Sequence, residues 1–190
     1  MPEYRRLRDP RALTAVAHPV RMGILELLTI EGPLTASQLA ERLDESPANC
    51  SWHLRKLAEH DFIEEAEGGT GRQRPWQMSQ VGLSWGDEPD TGPEERRAGE
   101  ALARAMLERW VDRYLDSSAR LAESDPEWRA AGELTQTMGW LTREELREVN
   151  DQVAALIRAY EGRLADPASR PEGSRLVELV AWGAAVEVTR

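Results

Sequence analysis

The segment from Ser46 to Ala58 reads SPANCSWHLRKLA and carries an amide (Asn49), two hydroxyls, an indole (Trp52), an imidazole (His53) and two cations (Arg55, Lys56). No carboxylate interrupts it, and acids stand only on either side, at Glu45 and Glu59. Such a set can bond to base edges and phosphates, and it lacks the charges that a polyanion would repel. Other chemistries are poorly served. There is no Ser-His-Asp order, nucleophile elbow or HExxH, and the pairs Glu64-Glu65 and Glu144-Glu145 fall in a strand and a helix cap, so an enzyme is not expected. Cys50 and His53 stand at i and i+3, but Cys50 is the only cysteine and no histidine cluster completes a shell. A buried thiol beside a histidine, with no metal or cofactor, is the expected arrangement. The GGTG at 68–71 lacks the GK[ST] ending of a phosphate loop and reads as a hairpin turn.

These side chains need a short helix held firmly at its back. Thr35-Ala36-Ser37-Gln38 forms a capping box, in which the Thr35 hydroxyl and the Gln38 side chain each satisfy an orphan amide. The helix it opens buries Leu39, Ala40 and Leu43. Ser46-Pro47 is a second start signal, a cap followed by proline at the first helical position. Cys50, Leu54 and Leu57, at i, i+4 and i+7, then form the inner side of a second helix. Two helices joined by so short a turn make a helix-turn-helix unit, whose second helix presents its outer face to a major groove. Upstream, residues 10–29 carry a helical apolar face that His18-Pro19 should kink or split. Downstream, FIEEAE and RQRPWQMS flank the glycine turn as a two-stranded hairpin with Arg72 and Arg74 near its tip.

The run VAHPVRMGILELLTIEGPLTASQLAERLDESPANCSWHLRKLAEHDFIEEAEGGTGRQRPWQMS resembles the winged helix-turn-helix domain of ArsR-type transcriptional regulators. The likeness lies in the AxxHPxRxxILxLL opening, the LTxxxLAxxL helix and the SxHLxxLxxxxFI run, over roughly residues 12–80. It implies a dimeric repressor or regulator that binds near-palindromic double-stranded DNA through a recognition helix at 46–60 and a wing at 62–79. Carried over by position, the DNA-facing residues are Pro47, Ala48, Asn49, Ser51, Trp52, His53, Arg55 and Lys56, with Arg72 and Arg74 from the wing. His53 has a second reading, as a support for helix packing. The segment 35–43 has no cysteine motif of the metal-sensing members, and Trp52 stands where a polar or basic residue is common.

The rest of the chain bounds this reading. The chain has 190 residues and a net charge of −10. Residues 1–80 hold 10 Lys/Arg against 12 Asp/Glu, a net of −2, and residues 81–190 hold 14 against 22, a net of −8. The acid excess therefore sits mainly in the second half, and a local basic face can still meet DNA. The pI of 4.9 also motivates a reading from another class, a protein-interaction module with an acidic contact surface. The apolar run 176–186 is too short to span a bilayer, and a cytoplasmic protein is expected.

The Gly86–Glu95 stretch, rich in Pro, Gly and acid, divides the chain into a DNA-binding domain at 1–86, a linker at 87–93 and a domain at 94–190. The second domain is read as two long helices and a terminal strand, with Gln136–Leu141 as that strand's candidate partner. The fold class is thus mainly α (α+β). Amphipathic stripes on these helices must bury against something, and a second copy could supply the surface. Trp110, Tyr114 and Trp140 read most plainly as core and dimer seam, and more sharply as a pocket for a small-molecule effector.

Overall fold

The computed structural model describes residues 5–69, 74–79, 83–86, 88 and 90–187. The chain divides into two compact units, 1–113 and 114–190. The first begins with a short strand β1 (Arg5–Arg6), then α1 (Pro10–Val16), α2 (Pro19–Glu31), α3 (Ala36–Leu43) and α4 (Pro47–Ala58). Strands β2 (Ile63–Glu65), β3 (Trp76–Met78) and β4 (Leu83–Ser84) follow, and then α5 (Pro93–Ser124).

The split at His18-Pro19 is complete. Pro19 lacks the donor that would continue α1, and the His18 imidazole caps α2 by accepting from the Val20 amide at 3.2 Å, so the two helices meet at 79°. The Thr35 capping box forms as read: its hydroxyl accepts from the Gln38 amide at 3.3 Å, and Gln38 Oε1 accepts from the Thr35 amide at 2.9 Å. Asp44 turns the chain in the left-handed region (φ 53°), and Ser46 caps α4. Close packing of α2 against α3 depends on Gly23, where a Cβ would stand 2.7 Å from Leu43 Cδ2.

Strands β2 and β3 pair antiparallel with Ile63 opposite Met78, and Leu34 extends the ladder by bridging to Trp76. A pairing absent from the sequence reading joins β1 to β4 in parallel, Arg5 opposite Leu83. The core gathers Leu13, Ile24, Leu39, Cys50, Leu54, Leu57 and Phe62, all essentially sealed from solvent. Leu102 of α5 is sealed in the same cluster, with Ala98, Ala105 and Met106 packed against it. The compact boundary consequently falls inside α5, not at 87–93: the first half of that helix covers the core that the helix-turn-helix leaves open. Glu26 of α2 ties it down, accepting from Arg109 Nε at 2.9 Å and also from Arg113. Burial opposes ionisation of Glu26, but the hydrogen bonds from the two arginines outweigh it and hold its carboxyl below the usual range.

The second unit holds the end of α5, then α6 (Pro126–Ala130), α7 (Arg143–Arg158), α8 (Gly162–Ala165) and a 3₁₀ turn at Pro167–Ser169. Thr142 and Glu145 form the capping box expected at the start of α7. The expected terminal strand does not form. Residues 175–187 carry no regular structure, and neither do 136–141. Alternation specifies which face of a strand is apolar but not a neighbour to bond with, and this unit supplies no neighbour for it. None of the described residues from 114 onward is buried, and Leu156 on the apolar stripe of α7 is 71% exposed. Among the described residues no single helix is long and apolar enough to cross a membrane.

Candidate nucleic-acid interface

Helix α4 presents one face to the core and one to solvent, as the i, i+4, i+7 spacing of Cys50, Leu54 and Leu57 requires. The outward set comprises Pro47, Ala48, Trp52 and Arg55, all exposed, with Asn49, Ser51 and Lys56 half-buried along its edges. Trp52 is 46% exposed and meets the His53 ring edge-on, with centroids 4.8 Å apart. Arg55 makes no hydrogen bond or ion pair within contact distance among the described residues, though its charge is felt at Glu59.

His53 does not belong to this face. It is 3% exposed, one position before Leu54 on the inward side, and its ring lies 4.6 Å from that of His18. A ring enclosed between α2 and α4 cannot reach a groove, so packing is its role. Its Nδ1 is buried with no hydrogen-bond partner among the described residues. Burial, and then the neighbouring His18 and Arg21, push its pKa below the ordinary imidazole value, with Glu45 opposing. Burial followed by Arg21 does the same to His18.

The folded chain therefore holds His53 neutral where the unfolded chain takes a proton near pH 6.5. The stability it contributes is present above about pH 6.5 and is lost as pH falls through the lower folded value, by at most about 1.4 kcal/mol per pH unit. Thermal melts from pH 7.5 to 5 should show a flat plateau and then a fall, and a His53→Gln variant should have a shallower fall. A melting temperature that rises on acidification would contradict this account.

Two of the DNA-facing candidates are engaged by the flanking acids. Asn49 Nδ2 donates to Glu45 at 2.8 Å, and Lys56 Nζ pairs with Glu59 at 2.7 Å. The i, i+4 spacing of Glu45 and Asn49 and the i, i+3 spacing of Lys56 and Glu59 are the signals in the sequence for these pairings. Ser51 Oγ donates to the Pro47 carbonyl at 2.7 Å, which turns that hydroxyl toward its own helix. In the hairpin, Arg74 is exposed and pairs with Glu65 at 2.6 Å. Arg72 lies outside the described residues. Of the expected effector residues, Trp110 is half-buried in the first unit; in the second, Tyr114 is exposed and Trp140, at 103%, is fully exposed. A ring with no neighbour over it closes no pocket around itself, so an aromatic-lined site at Trp140 is not formed in this unit. Cys50 is sealed inside, and burial raises its thiol pKa.

Residues 16–66 match a family model described as a helix-turn-helix domain. The chain carries a helix-turn-helix domain. Its two helices are α3 and α4, and β2 begins at its C-terminal edge. A comparison with curated proteins finds no match. Among solved structures, the chain is similar to a transcriptional regulator homologue from Pyrococcus horikoshii OT3, at 22% identity over 48% of this chain and 84% of that one, with a TM-score of 0.31. It is also similar to a MarR family regulator from Neisseria meningitidis, at 15% identity over 78% and 79%, with a TM-score of 0.33. Lactococcus lactis ZitR in complex with DNA is similar at 16% identity over 77% and 74%, with a TM-score of 0.28. Likeness at these scores assigns no role to any residue, and the helix-turn-helix site is described by its own geometry.

Proposed function

We propose that this protein is a DNA-binding transcriptional regulator of the ArsR type, a cytoplasmic repressor that grips a near-palindromic operator as a homodimer. The observation that carries this reading is the outer side of α4: Pro47, Ala48, Trp52 and Arg55 stand exposed with no carboxylate among them, on the second helix of a helix-turn-helix domain. Arg55 and Lys56 take phosphates or base edges, Asn49 and Trp52 read the groove, and the hairpin with Arg72 and Arg74 reaches the flanking backbone. The first unit supplies these contacts, and residues beyond Arg113 supply dimerisation. The exposed apolar stripe of α7 supports the second assignment, since a second copy gives Val149 and Leu156, and Tyr160 just beyond the helix, a surface to bury against. Two recognition helices then meet successive major grooves about 34 Å apart.

Selection of bound sequences from a random duplex pool tests the reading. Enriched half-sites one helical turn apart are expected, and a pool that never enriches would end it. The pairing of Glu59 with Lys56 adds a sharper expectation. In a gel-shift titration, Glu59→Gln should tighten duplex binding by about two- to fivefold, because it removes a charge beside the phosphates and frees the ammonium. Weaker binding in that variant would show that Lys56 does not meet the backbone.

The net charge of −10 favours one other reading, an interaction module that uses the winged fold and an acidic surface to bind a protein partner without DNA. Passage over heparin at low salt separates the two, since only a DNA-binding face is retained there.

A further inference from the structure

Beside the outer face of α4, within the first unit, lies an open cleft of about 640 Å³ walled by α1, α4 and the first turns of α5. Its size is that of a small-molecule site. Trp52 and Lys56 line it from α4, one turn apart on the same face, and His60 joins them from the turn that follows the helix. Arg11 enters from α1 and Arg97 from α5, while Ala98 and Ala101 give an apolar wall.

The charges on this lining do not cancel. Arg21 also reaches the cleft, but its guanidinium donates to the backbone carbonyls of Thr14 and Ala15. Lys56 is paired with Glu59. Glu94, the one carboxylate of the lining, lies in the first turn of α5, where it complements the positive end of the helix dipole. Arg11 and Arg97 remain, with no side-chain hydrogen bond or ion pair among the described residues. Two unpaired guanidinium groups and a half-exposed indole therefore share one cleft, in a chain whose overall charge would otherwise repel anions.

We propose that this cleft binds a phosphate monoester carried on an aromatic ring, such as a nucleoside 5′-monophosphate, with the ring against Trp52 and the phosphate on Arg11 and Arg97. The ligand class follows from the count of charges. A phosphate monoester carries about −1.5 to −2 at pH 7 and matches two guanidiniums, whereas a carboxylate would leave one of them unmatched. The indole face adds stacking, which any nucleobase can satisfy. The site does not depend on the DNA reading, because it is tested on the protein alone.

Isothermal titration of the full chain with AMP, adenosine and inorganic phosphate, at low salt, is the test. AMP should bind with a dissociation constant below about 1 mM, and adenosine and phosphate should each bind at least about tenfold more weakly. Arg11→Ala, Arg97→Ala and Trp52→Ala should each weaken AMP by about tenfold or more with unchanged thermal melts, and Trp52→Phe should restore part of the loss. Equal binding of adenosine or of phosphate alone would overturn the proposal, as would variants that keep full affinity. Loss of duplex binding in Arg11→Ala and Arg97→Ala with no AMP binding by the parent would also overturn it and assign both arginines to the DNA backbone.

Discussion

Arg55→Glu will lose duplex binding by about a hundredfold or more in gel-shift titration while keeping its melting temperature. Arg55 is exposed, makes no ion pair among the described residues and stands in the middle of the outward face of α4. Removing one well-placed cation costs about 1–3 kcal/mol, or roughly fivefold to over a hundredfold. Reversal of its charge adds repulsion, and binding as the proposed homodimer would double the loss. The side chain is exposed on the outward face of α4 and is no part of the core cluster. Two quantities separate the roles open to it. If Arg55 holds only a phosphate, Arg55→Ala will weaken all duplexes alike and lower the slope of log K against log salt by about one. If it reads a base, the loss will fall mainly on the selected operator, and discrimination at one position will relax. A variant with wild-type affinity would remove α4 from the interface.

Leu54→Ala will destabilise the first unit by about 2–5 kcal/mol, the cost of a cavity in a core that collapses only partly. Leu54 is wholly sealed and sits on the inward side of α4 with Cys50 and Leu57, among Leu39 of α3 and Ile24 of α2. It is the point at which the second helix of the helix-turn-helix is held to the helices behind it. Against a usual domain stability of about 5–15 kcal/mol, the loss is large enough to lower the urea midpoint markedly. DNA affinity measured well below that midpoint should change much less than in Arg55→Glu, since the outer face is untouched. Leu54→Met, which conserves volume, should cost less than about 1.5 kcal/mol. An unchanged midpoint in Leu54→Ala would mean that α4 is not anchored through this side chain.

The two substitutions mark the division between what was legible in the sequence and what was not. Caps and spacings are local: Thr35 with Gln38, Ser46 with Pro47, Thr142 with Glu145 and Pro19 after His18 each specify a helix start within four residues, and each start lies where the residues put it. The inward trio of α4 follows from the 3.6-residue period alone. Contacts between distant parts carry no such signal. The pairing of β1 with β4 and the tie from Glu26 to Arg109 join residues some eighty positions apart, and Leu102 is buried in a core formed by helices far upstream of it.

The sequence by itself determined that a helix-turn-helix exists here and which side of α4 faces inward, because capping and amphipathic period act within a few turns of chain. Only the tertiary structure decided that His53 is enclosed against His18, that half of α5 belongs to the first core, and that Arg11 and Arg97 share a cleft with Trp52. It also decided that the alternating C-terminal run stays unpaired. Each of these depends on which surface arrives opposite a given face, and a pattern along one segment specifies the face but not what covers it.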